Sequence, residues 1–139
     1  MQPIEIKTSL VHIPLNKDGV NVGEVLFNPK DNLFFEKFYA MLGEFETKKI
    51  EYEERAKALD LDVNKDENGI PTNIKTGIAF RREVCEYFMS KIDELFGDGV
   101  SKMAFGNTLE PEVIAQFFDG ITPVFSEVRQ EKVKKYIKK

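Results

Sequence analysis

The first part of the chain has the hydrophobic pattern of β-strands. Apolar and β-branched residues dominate positions 4–7 and 10–13, and after the turn sequence Asn16–Gly19 they recur at alternate positions of Val20–Phe27. Residues 1–28 are therefore predicted to form a β-hairpin. Two strands alone are marginally stable in water, so this ribbon needs helices or another chain to cover one face.

The period of the pattern changes at Asp31, where either Asp31 or Asn32 can cap a helix. From Leu33 to Leu59 apolar residues recur every three or four positions, and acid–base pairs on the exposed faces place the acid four residues ahead of the base. These pairs are Glu44/Lys48, Glu51/Arg55 and Glu53/Lys57. Residues 31–60 are predicted to form one long helix of roughly 40 Å at 1.5 Å per residue, with a charged second half that projects as an arm.

A polar segment at 62–75 follows the long helix. Asp62 and Asp66 fall on positions 1 and 5 of a calcium-binding EF-hand loop. The match fails at position 6, which holds Glu67 where glycine is needed, and at position 12, which holds Asn73 where glutamate is needed. The segment is interpreted as a surface loop without a metal site.

The next helix is predicted to begin with Thr76 as its N-cap and to end at Gly97. Its apolar stripe includes Ile78 and Cys85. Because Cys85 lies on this stripe and no positioned base accompanies it, the residue is interpreted as a packed thiol and not as a nucleophile.

Three glycines crowd the segment DELFGDGVSKMAFGN at residues 93–107. A phosphate-binding loop would end in Gly-Lys-Ser/Thr, but here Lys102 follows Ser101 and precedes Met103. The glycines are therefore interpreted as a junction between helices, with a short helical turn over Val100–Phe105.

The last helix is predicted to begin at Asn107 or Thr108, to carry an apolar stripe to Val128, and to bend at Pro123. Residues 127–139 form a Lys-rich tail with six Lys/Arg and two Glu. Nucleic-acid binding by this tail is not favoured, because helix C-termini attract cations in any case and no basic face accompanies the tail.

Composition limits the function further. The 139 residues, 42% of them hydrophobic and 12 of them Phe, suffice for one domain with a real core. A net charge of −4 gives no general attraction to nucleic acid or membranes, and the sequence has no long apolar run typical of a signal peptide or membrane span. A cytoplasmic location is expected.

Chemical sites are hard to build from this composition. One cysteine and one histidine exclude an internal disulfide and leave few ways to form a metal site, and His12 is interpreted as an ordinary strand residue. No enzyme activity, cofactor or metal is expected. The predicted fold is α+β and predominantly helical: residues 1–139 form a single domain with an N-terminal hairpin and about four helices, one of them long and charged.

The order of these segments resembles that of the tail assembly chaperones of long-tailed bacteriophages and prophages. The resemblance spans nearly the whole chain. Its most specific part is Ile92–Asn107, where IDELFG is followed by a short KMAFG turn between glycines. The later sequences EPEVIAQFFDGITPVF and KVKKYIKK belong to it as well.

The resemblance implies a small non-enzymatic protein, made in the cytoplasm of the infected bacterium and absent from the mature virion. Such chaperones keep the helical tape measure protein in solution and help recruit tail tube subunits. Amphipathic helices can cover the apolar stripes of such a partner, although most buried aromatics simply fill a core. The aromatic residues considered for this contact are Phe34, Phe35, Phe38, Phe45, Phe117, Phe118 and Phe125.

Two other classes of protein stay open. One is a phage structural protein, such as a head–tail connector or tail completion factor, which would remain in the virion; the other is a regulator that binds nucleic acid through the Lys-rich tail. Self-association is also expected, either through the unpaired edges of the hairpin or through the Phe38–Leu59 part of the long helix.

Overall fold

The computed structural model describes the backbone of residues 1–137 and the side chains of residues 1–125. A two-stranded hairpin precedes four helices, as predicted, and the fold is α+β and mainly helical. The elements are β1 (Val11–Lys17), β2 (Val20–Phe27), α1 (Asn32–Leu61), α2 (Ile74–Phe96), α3 (Val100–Phe105) and α4 (Pro111–Ile137).

The hairpin is antiparallel, and its register runs from Val11 opposite Phe27 to Lys17 opposite Val20. Asp18 and Gly19 form the turn with φ values of +52° and +82°. Two consecutive residues with positive φ match the right-handed twist of the strands, which explains why an Asp-Gly pair closes this ribbon.

The predicted strand at residues 4–7 is wrong. Residues 1–10, named here the N-terminal arm, precede β1 without forming a strand, and each of them is exposed. The physical reason is the end of β2 at Phe27: Pro29 and the helix cap Asp31 follow directly, so β2 offers the arm no continuing strand.

Helix α1 begins as predicted, because the Asp31 carboxylate accepts a hydrogen bond from the Leu33 N–H at 3.0 Å. Its second half does not stand alone. The Tyr52 ring packs edge-on against Phe80 of α2 at 5.8 Å, and Arg55 forms an ion pair with Glu83. The charged face of this part of α1 is largely exposed, as predicted, but the helix does not project alone, since α2 runs along it.

Helix α2 begins at Ile74, two residues before the predicted cap Thr76. The Asn73 side-chain amide donates to the Leu59 carbonyl oxygen at 2.9 Å, which joins the start of α2 to the end of α1. Ile78 is 63% exposed, so its assignment to the buried stripe is wrong. The N-terminal part of α2 packs on α1 through a different face, the one that carries Phe80.

Cys85 is fully buried, as predicted. Burial raises the pKa of its thiol, because the thiolate loses hydration in the core. A thiol with a raised pKa is a poor nucleophile at neutral pH, so Cys85 acts as a small packed side chain.

Both strands of the hairpin and all four helices contribute to one hydrophobic core. Phe27 of β2 lies at its centre, and its ring contacts Phe34, Phe96 and Phe125 at centroid distances of 5.4, 5.3 and 5.4 Å. The buried members are Val25, Phe27, Phe34, Cys85, Ile92, Phe96, Phe105, Ile114, Phe117, Ile121 and Phe125.

The glycine-rich segment is a helix junction, as the failed phosphate motif indicated. Gly99 precedes α3 with φ +88° and Gly106 follows it with φ +61°, a backbone region that side chains other than glycine rarely adopt. The Asp93 carboxylate accepts hydrogen bonds from the N–H of Ser101 at 2.8 Å and from its hydroxyl at 3.1 Å. This contact joins the last turn of α2 to the first turn of α3.

Lys17 of β1 binds the other end of α3. Its Nζ donates to the Phe105 carbonyl oxygen at 2.7 Å and to the Thr108 hydroxyl at 3.0 Å. Thr108 therefore belongs to the end of α3. Helix α4 begins three residues later, at Pro111, where the missing N–H of proline costs no hydrogen bond because the first residue of a helix has no intrahelical acceptor.

Helix α4 continues through Pro123. The Thr122 hydroxyl donates to the Phe118 carbonyl oxygen at 2.7 Å, next to the Asp119 carbonyl that Pro123 leaves without its helical N–H donor. The side chains of the predicted Lys-rich tail and of Val128 lie outside the described residues.

Removing the Asp93 carboxylate tests the junction. We expect Asp93→Ala to lower the free energy of unfolding by about 1–2 kcal/mol, because the buried Ser101 then loses its acceptor. Urea denaturation measures the difference. Asp98→Ala is the control, since this exposed carboxylate lies in the connection between α2 and α3. Equal losses for the two variants would contradict the role of Asp93 in joining these helices.

Candidate functional site

An apolar groove of about 280 Å³ lies between α1 and α4, with part of α2 at its base. It lies open to solvent, and Leu42 on its wall is 40% exposed. The lining residues are Phe38, Met41, Leu42, Phe45, Phe88, Pro111, Ile114, Ala115, Phe118, Asp119 and Thr122.

Aromatic pairs set the geometry of the groove. Phe38 stacks on Phe125 at 4.2 Å between ring centroids, with an angle of 19° between the planes. Phe45 meets Phe118 edge to face at 5.4 Å and Phe88 at 5.0 Å. These contacts bridge α1, α2 and α4, so the groove walls are part of the packed structure and exist without a ligand.

Three of the aromatic residues predicted to contact a partner are core residues. Phe34, Phe117 and Phe125 are 8%, 8% and 5% exposed. Phe117 packs against Phe96 at 5.4 Å and Phe105 at 6.1 Å, inside the protein. The apolar stripe of a helix does not show which members neighbouring elements will cover, and burial removes these three from the partner surface.

The other four predicted residues remain accessible to different degrees. Phe38, Phe45 and Phe118 are partly buried and line the groove. Phe35 is also partly buried but does not line the groove, and its ring lies 6.4 Å from that of Tyr39. The structure therefore brings three predicted residues together in one place.

The sequence-based selection of aromatic residues missed the non-aromatic part of the groove. Leu42 lies between Phe38 and Phe45 on the same stripe of α1, at spacings of four and three residues. This helical spacing is the sequence signal from which Leu42 could have been predicted to line the same surface as the two Phe residues. Ala115 and Asp119 of α4 lie four residues apart on the facing wall, and Asp119 is the one charged residue of the lining.

A second cleft, between α1 and α2, has charged as well as apolar residues in its lining. Lys91 binds Glu44 of α1 at 3.0 Å and Glu94 at 3.1 Å. The hydrogen bond to Glu44 is the main cause that raises the pKa of Lys91, and a stabilised ammonium cannot act as a base at neutral pH. These charges join α1 and α2.

In the acidic loop between α1 and α2, the carboxylates of Asp62 and Asp66 accept hydrogen bonds from backbone N–H groups of the loop itself. Asp66 accepts hydrogen bonds from the N–H groups of Asn68 at 2.8 Å and Ile70 at 3.0 Å, and Asp62 accepts from that of Asn64 at 3.1 Å. Within the side chains that the structure describes, no group of three or more His, Cys, Asp or Glu is placed to hold a metal ion. Nor is any described helix long and apolar enough to cross a membrane.

Comparisons of the chain with protein-family models, with curated proteins and with solved structures give no match.

Calcium tests the interpretation of the acidic loop. We expect millimolar calcium to leave the melting temperature unchanged, because an ion that binds only the native state must raise it. Thermal denaturation with calcium and with magnesium makes the comparison. A calcium-specific rise that disappears in Asp62→Ala would contradict the absence of a site.

Neighbouring Phe117 and Phe118 offer a matched pair of substitutions. Phe117→Ala should lower the free energy of unfolding by about 3–5 kcal/mol, because it leaves a cavity in the core. Phe118→Ala should cost less, about 1–2 kcal/mol, since the groove already exposes part of its ring to water. Chemical denaturation of both variants measures this order, and equal losses would place both rings in the core.

Proposed function

We propose that this protein is a non-enzymatic chaperone that binds an amphipathic helix of its partner in the groove between α1 and α4. The observation that carries the proposal is the open apolar groove itself. Phe38, Phe45 and Phe118 form its aromatic walls, and Leu42 reaches solvent at its edge. Open apolar surface of this kind in a packed protein is typical of a binding site.

The chemistry of the groove favours a helix over a small polar ligand. Asp119 is the one charge on walls that are otherwise almost entirely apolar. A partner helix places large apolar side chains at positions i, i+3, i+4 and i+7, and these can enter a groove while its polar face stays in water. Rigid aromatic walls add contact area and lose little side-chain entropy on binding.

The resemblance to phage tail assembly chaperones supports a particular partner. A tape measure protein is long and helical, and it exposes apolar stripes until the tail tube encloses it. Covering such a stripe keeps the partner in solution. The partner helix then leaves the groove as tail tube subunits are recruited. On this proposal the protein acts in the cytoplasm of the bacterial host and does not remain in the mature virion.

Leu42 provides a direct test of the groove. Leu42→Lys should leave the melting temperature nearly unchanged, because the side chain is already 40% exposed, but it places a charge on the apolar wall. We expect it to weaken binding of the tape measure helix by about 2 kcal/mol, roughly 30-fold in Kd. Co-expression would then leave less of the tape measure protein soluble than the wild type does.

Ile50→Lys is the matched control. Ile50 lies on the same helix, is 60% exposed, and does not line the groove. Equal binding by the two variants would show that the groove is not the site. If the wild-type protein never keeps the adjacent long helical protein soluble, the chaperone proposal itself fails.

The alternatives give different results in simple assays. A connector or tail completion factor would be found in purified virions, where a chaperone would be missing. A nucleic-acid-binding regulator would bind DNA or RNA with an affinity that falls steeply as salt rises.

A further inference from the structure

The N-terminal arm exposes large apolar side chains in a strand-like order. Ile4 is 88% exposed, Ile6 is 81% exposed and Leu10 is 47% exposed. Glu5, Lys7 and Ser9 separate them, so apolar and polar residues alternate. Alternation with a period of two gives a β-strand one apolar face, which needs a covering surface.

The alternation of the arm is out of phase with that of β1. In β1 the odd-numbered residues Val11, Ile13 and Leu15 pack against the core, whereas the arm has its apolar residues at even positions. If β1 were extended backwards, Ile4 and Ile6 would lie on the face of His12, which points away from the core. The apolar face of the arm is therefore not a continuation of the molecule's own core.

Within the described backbone, the arm also has no strand of its own chain to pair with. Beyond Phe27 the chain turns into α1, so β2 cannot extend alongside the arm. To fold back on the open edge of β1, the arm would need a tight turn, but Thr8-Ser9 lacks the glycine, asparagine or aspartate that such turns use.

The hairpin offers one well-suited open edge. Within the described backbone the sheet has two strands, so β2 has no strand on its outer side. The sequence VNVGEVLF contains no proline, and every residue of β2 keeps an N–H group, whereas Pro14 removes one from β1. Leu26, on the outward face of β2, is 43% exposed and gives this edge an apolar contact.

We propose that the arm of one molecule adds to the outer edge of β2 in a second copy, as the third strand of its sheet. Ile4 and Ile6 then cover Leu26. A second copy fits as the partner because each chain carries both an unpaired arm and an unpaired edge. In such a dimer the arm of each chain pairs with the β2 edge of the other chain, so both arms and both edges are used and the dimer has two-fold symmetry.

This inference does not depend on the proposed function. The arm and β2 share no residue with the groove between α1 and α4. Variants of the arm therefore test self-association, and variants of Leu42 test partner binding.

Sedimentation velocity over a concentration series tests the exchange. We expect a wild-type dimer. Ile6→Pro removes an N–H from the arm and should raise the dimer Kd about tenfold or more, while Ile6→Val keeps the β-branched strand residue and should leave it near the wild-type value. Ile6→Pro should leave the intrinsic stability of the monomer unchanged, because the side chain is exposed.

The receiving edge is tested by Leu26→Lys, which should weaken the dimer to a similar extent. A strictly monomeric wild type at concentrations on the order of 100 μM would overturn the proposal. A dimer of wild-type affinity in Ile6→Pro or in Leu26→Lys would overturn it as well.

Discussion

The contact of Phe27 with aromatic rings from three helices is the interaction on which the rest of the fold depends. A two-stranded ribbon is at best marginally stable by itself, and the ring of Phe27 packs it against Phe34 of α1, Phe96 of α2 and Phe125 of α4. Each ring contact adds little free energy beyond that of burying its apolar area. Together, the contacts hold elements that are far apart in sequence. Charged pairs such as Arg55 with Glu83 lie in solvent and add little.

The groove is a consequence of this aromatic packing. Phe125 also stacks on Phe38, which brings α1 and α4 together at one end. Farther along, the two helices meet through the rings of Phe45 and Phe118, and the space beside these rings stays open. A packed aromatic core thus continues into an accessible apolar surface, and this continuity is the physical basis for proposing a helix as the ligand.

Local signals in the sequence determined much of the secondary structure. The Asp18-Gly19 turn, the Asp31 cap and the stop at Gly97 were predictable, because each depends on the conformational preference or hydrogen bonding of a few adjacent residues. The short helix over 100–105 and the burial of Cys85 followed in the same way from glycine positions and helical period. For the site, the sequence indicated three groove residues among seven aromatic candidates.

Only the tertiary structure decided which apolar faces are covered. Ile78 lies exposed while Phe117 lies in the core, although both belong to helical stripes of the same kind. Residues 4–7 have a strand pattern, but the end of β2 leaves them without a strand in their own chain. Periodicity shows that a face is apolar; burial depends on distant elements that pack against that face, and their positions are set by contacts such as those of Phe27.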